Sequence, residues 1–98
     1  MFNNDPGIFK EILNDFIDPS RLIIDEMDNG WKERSAKNIR FAAHKLKSAA
    51  SSIGAGKLAE LCLSLETAGK EENWDIIDEG IPELSGLMDD IEDYVNRL

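Results

Sequence analysis

From Trp74 to Leu98 the apolar residues Trp74, Ile77, Ile81, Leu84, Met88, Ile91, Val95 and Leu98 fall three or four apart without a slip. That spacing is the signature of one buried helix face. The phase continues straight through Pro82. A proline there removes one backbone hydrogen bond and kinks the axis, and Gly80 and Gly86 add places where a local break can form. Nowhere does the chain alternate with period two, and no hairpin-type turn joins two β-rich runs. The sequence therefore has to fold as helices that bury their stripes against one another.

The remaining helices follow from the same periodicity and its punctuation. Asp5-Pro6 is a helix start, a capping side chain followed by a proline in the first turn. Ile8, Phe9, Ile12, Leu13, Phe16 and Ile17 then give a short first helix. Asp18-Pro19 is expected to break it, because proline disfavours helical geometry in the residue before it. The same pair opens a second helix through Leu22, Ile23, Ile24 and Met27. Asp28-Asn29-Gly30 reads as turn chemistry, and Trp31–Arg34 as either a last turn or a loop. Ser35 is the expected N-cap of a third helix, which ends at Ile53-Gly54-Ala55-Gly56, with Gly54 suited to a left-handed cap. A fourth helix uses Leu58, Leu61, Cys62, Leu65 and Ala68 and stops near Gly69. The expected architecture is all-α: an antiparallel four-helix bundle with a short additional N-terminal helix covering one end. Ninety-eight residues make one domain, 1–98, able to bury a real core.

The third helix carries the only histidine. Its stripe is Ala36, Ile39, Ala43, Leu46, Ala50 and Ile53. At ~100° per residue His44 lies roughly 125° from the middle of that stripe, so the imidazole faces outward. Arg40, Phe41, Lys47 and Ser48 lie on the neighbouring turns, and Lys45 points further round. The net charge is −9, which argues against nucleic acid as a partner. Residues 31–57 nevertheless hold seven cations (Lys32, Arg34, Lys37, Arg40, Lys45, Lys47, Lys57) and one acid, Glu33. A basic patch around the lone histidine, on an acidic body, suits a negatively charged group or an acidic partner. The acids of the last helix lie mostly off its stripe and read as a solvated face.

The run His44-Lys45-Leu46-Lys47-Ser48, then Gly54, then Leu58, Leu61, Cys62, Leu65 and Glu66 resembles the histidine-containing phosphotransfer (HPt) family. That family's signature is close to His-x-Leu-Lys-Gly, a glycine six residues on, and a leucine-rich helix ending Leu-Glu. Ser48 stands where the family often has glycine; it is still small. The resemblance implies a helical bundle and a phosphocarrier. His44 would accept a phosphoryl group from the aspartyl phosphate of one receiver domain and pass it to another. Lys47 would give electrostatic support, and Arg40, Phe41, Lys45, Ser48 and Lys37 would dock the partner. The implied partners are response-regulator receiver domains and a hybrid sensor histidine kinase.

The residue chemistry accords with that expectation. A neutral imidazole is a competent nucleophile near pH 7, and phosphoryl transfer needs positioning and charge stabilisation more than covalent machinery. No Gly-rich phosphate loop or kinase motif set is present, so the chain is not expected to be an enzyme that phosphorylates itself from ATP. No cofactor or metal is expected on this chain, with Mg²⁺ held by the receiver. One cysteine, Cys62, falls on an apolar stripe and reads as a small buried hydrophobe in a reducing compartment. Without a membrane-length apolar run or a signal peptide, the expectation is a cytoplasmic monomer with no membrane partner. The starting methionine and the length suggest a free-standing carrier. The competing expectation is an interaction module that binds a receiver through the same surface without carrying phosphate.

Overall fold

A computed structural model describes residues 6–98 as four helices, α1 Pro6–Lys32, α2 Ala36–Ser52, α3 Gly56–Glu71 and α4 Trp74–Asn96. Asp5, the expected cap, and the residues before it lie outside the described residues. The helices close a ring in which α1 packs on α2 and α4, and α3 packs on α2 and α4. Its long dimension is 44 Å, close to the ~40 Å that 27 helical residues span.

The expected break at Asp18-Pro19 does not occur, and the short extra N-terminal helix is simply the first half of α1. The physical reason is the phase of the buried face. Leu13, Ile17, Ser20, Ile24 and Met27 point into the core, stepping three or four apart across the proline, with Phe16 buried beside them. A proline inside a helix costs about 3 kcal/mol, whereas burying each large apolar side chain contributes roughly 1.5–3 kcal/mol. Asp18 and Pro19 are exposed, so the turn that loses its hydrogen bond faces water. Pro82 behaves alike: it is exposed and α4 runs through it unbroken.

Asp28-Asn29-Gly30 is likewise helix, not turn. Gly30 is buried, and a β-carbon there would lie 3.1 Å from Asn38 Cβ, so the glycine serves the close approach of α1 to α2. The reversal falls later. Glu33 and Arg34 form the turn, with Arg34 in the left-handed region at φ 54°. Ser35 then caps α2, its Oγ accepting from Asn38 N–H at 3.3 Å. Gly54 takes φ +76° between α2 and α3, the conformation expected of it. α3 passes Gly69 and ends at Glu71, with Glu72 in the left-handed cap position. Asn73 caps α4 by accepting from Ile76 N–H.

Polar clamps tie α1 and the turn after it to α4. Arg21 donates to Asp89 at 2.9 Å and to Glu92 at 3.0 Å. Trp31 Nε1 and Arg34 Nη1 both donate to Asp78 Oδ1, at 2.7 and 2.8 Å, and the Arg34 guanidinium lies 4.7 Å from the Trp74 ring centroid. Together these contacts hold Asp78 below the usual carboxylate range, the Trp31 hydrogen bond leading and the Arg34 hydrogen bond next. Cys62 is fully buried, and burial pushes its thiol up to about 12.

Candidate functional site

α2 buries Ala36, Ile39, Ala42, Ala43, Leu46 and Ala50, while Ile53, expected on the same stripe, is half-buried at the helix end. Fixing that face of α2 against the core turns the opposite side to solvent, and His44 stands at mid-helix with its side chain 60% exposed. Its Nδ1 lies 2.9 Å from Glu66 Oε2, across the groove between α2 and α3.

Glu66 is shared. Its other oxygen, Oε1, accepts from Lys47 Nζ at 2.6 Å. The carboxyl is held below the usual range, first by the Lys47 hydrogen bond, against a desolvation effect that acts the other way, and then by the hydrogen bond from His44. An ionised carboxylate only accepts hydrogen bonds, so the Nδ1 facing it carries the ring proton. In the neutral ring, Nε2 is left with its lone pair. Glu66 thereby joins His44 and Lys47 in one charge-assisted network.

The docking candidates separate into distinct environments. Lys45 donates to Glu26 Oε2 on α1 at 2.7 Å, so its charge is already paired. Phe41 is 52% exposed. Lys37 Nζ and the Arg40 guanidinium lie 5.8 and 6.0 Å from its ring centroid, within cation–π range. Arg40, Phe41, His44 and Glu66 line an open cleft of about 230 Å³. Ser48 is exposed one turn beyond His44. Gly69 fixes this part of α2 against α3, for a β-carbon at 69 would lie 3.0 Å from both Ala36 O and Arg40 N.

The sequence marks Glu66 only as the last residue of the Leu-Glu signature. Its role depends on the register of α3 against α2, which brings residues 22 apart in sequence together. The signal that could have singled it out is an acid one turn after Cys62, on the edge of the α3 stripe.

The chain belongs to the Hpt domain family, whose model matches residues 11–96. Neither a curated protein nor a solved structure matches it. Membership implies a phosphotransfer role in two-component phosphorelays: Hpt domains are phosphotransfer carriers rather than kinases, with receiver domains and kinases as the family's partners. Among the described residues no helix is long and apolar enough to cross a membrane.

Proposed function

We propose that the chain is a single HPt domain, an antiparallel bundle that carries a phosphoryl group on Nε2 of His44. The observation that carries this reading is the exposed imidazole with Nδ1 held by the Glu66 carboxylate. In the proposed step the Nε2 lone pair attacks the phosphorus of an aspartyl phosphate. An N–P bond forms, the P–O bond to the aspartate breaks, and the aspartate leaves as a carboxylate with the bonding electron pair. No proton has to leave the ring, because Nε2 carries none. Positive charge develops on the imidazole, and Glu66, already accepting from Nδ1–H, stabilises it. Reversal of the same step delivers the phosphoryl group to a second receiver.

Lys47 gives electrostatic support through its pair with Glu66, holding that carboxylate ionised against Nδ1 of His44. Lys37, Arg40 and Phe41 belong to the surface that meets the partner, and Ser48, expected there too, is small and leaves room beside the ring. Lys45, held by Glu26, contributes less than its position in sequence suggests. The Mg²⁺ that aspartyl-phosphate chemistry uses belongs to the receiver. The test is incubation with phosphorylated receiver domains. The expected adduct is acid-labile and base-stable, and it is lost in His44→Gln while the helical circular dichroism is retained. Equal labelling of parent and variant would refute the assignment.

A further inference from the structure

We infer that α2 docks its partner from one side only: Lys37, Arg40 and Phe41 form the anchor, and the serine-bearing half of the helix is clearance. This inference rests on the phosphocarrier reading and adds to it the orientation of the docked receiver domain.

The argument begins with which cations have charge to offer. Of the lysines nearest His44, Lys45 is paired with Glu26 and Lys47 with Glu66. Arg34, at the head of the helix, is paired with Asp78. Among the described residues no ion pair engages Lys32, Lys37, Arg40 or Lys57, all four are exposed, and Lys37 and Arg40 are the two of them that stand on α2. Their charges stand beside the Phe41 ring instead. Two unpaired cations flanking an exposed aromatic make a compact anchor of the kind that binds acidic, partly apolar surfaces.

Helix geometry supplies the direction. Positions 37, 40, 41, 44, 48 and 51 fall on one side of α2. Arg40 and Lys37 are about 6 and 10.5 Å from His44 along the axis, toward the N-terminus. On the other side of His44 the exposed residues of that stripe are Ser48, Ser51 and Ser52. They are short and uncharged, and Gly54 follows with open space around its α-carbon. The anchor is also held in place, because Gly69 lets α3 sit directly against the Arg40 backbone. A receiver domain, whose phosphoaspartate site brings metal-binding carboxylates with it, matches the charge of this anchor. Its surface is then set over the N-terminal half of α2, with its body passing over the serines.

A charge-matched pair of double variants tests the direction. Lys37→Gln with Arg40→Gln, and Ser51→Glu with Ser52→Glu, each change the charge by the same amount on opposite sides of His44. Binding is measured to a beryllofluoride-locked receiver domain, chosen from a purified panel because its phosphorylated form labels His44. The expected result is a Kd raised on the order of tenfold, with a flattened salt dependence of the association rate, for the first pair. The second pair is expected to stay within about twofold. Phe41→Ala should weaken binding without changing the salt dependence. Equal effects from the two double variants would overturn the one-sided anchor while leaving the carrier reading intact. A panel in which no receiver either binds or labels the chain would overturn both.

Discussion

Truncating Glu66 to alanine removes two interactions at once, and the two have different readouts. The carboxylate holds His44 Nδ1 at 2.9 Å through one oxygen and Lys47 Nζ at 2.6 Å through the other. A hydrogen bond to a charged group contributes about 1.5–3 kcal/mol. The exposure of His44 argues for the lower end on the ring side, and about 1.4 kcal/mol is a factor of ten. Phosphoryl transfer to His44 is therefore expected to slow about tenfold. The ¹⁵N spectrum of the imidazole should move from a fixed Nδ1–H form toward a mixture of tautomers. Glu66 and Lys47 are 21% and 28% exposed, so losing their contact should cost about 1–2 kcal/mol of stability. For a domain of this size that lowers Tm by about 4–8 °C per kcal/mol.

The pH dependence has a definite sign. Glu66 has a depressed folded pKa, so its contribution is full above the ordinary carboxylate value and is lost as pH falls through the folded one. The Tm gap between parent and Glu66→Ala should be widest near neutrality and close in acid. Transfer at the parental rate, with an unchanged tautomer spectrum, would refute the positioning role even if Tm fell as expected.

Other consequences follow from the packing. Asp78→Ala should lower Tm at pH 7 and leave it nearly unchanged at a pH where Asp78 is protonated, since its folded pKa is also depressed; a thermal melt at each pH checks this. Pro19→Ala should raise stability by about 1–3 kcal/mol, because it restores a hydrogen bond in a continuous α1; destabilisation in urea unfolding would mean the proline ends a helix after all. Gly69→Ala should cost about 1–3 kcal/mol through crowding against Ala36 and Arg40, and transfer should slow with it; a neutral effect in both assays would contradict the close α2–α3 contact. Cys62 should resist a thiol reagent at pH 8 in the folded protein and react on unfolding, since its thiol is buried and pushed up to about 12.

Helix phase was legible wherever side chains announced it. The α4 stripe from Ile77 to Val95 and the outward direction of His44 could be read from spacing alone, whereas Leu98, expected on the same face, lies beyond the helix and is exposed. Continuity through Pro19 could not. The local rule for Asp18-Pro19 concerns one turn, while the outcome depends on a buried stripe on both sides of it. Ser20, a polar residue occupying a core position, hid that stripe. Gly30 and Gly69 looked like stops because conformational freedom and small size are the same letter in a sequence. Only packing shows that both positions give space to a neighbouring helix. The site divides the same way. His44 and Lys47 lie on one helix, so their proximity follows from the 3.6-residue repeat. Glu66, and the pairing of Lys45 with Glu26, depend on interhelix register. Counting charges located the basic patch, but not which of its members were already neutralised.

The most direct test is the position of the phosphoryl group itself, read by ³¹P–¹⁵N correlation on protein labelled at histidine and phosphorylated by a receiver domain. A single adduct on Nε2 of His44, with Nδ1 still bearing its proton, is the predicted result. An adduct on Nδ1, or on any residue other than His44, would contradict the account.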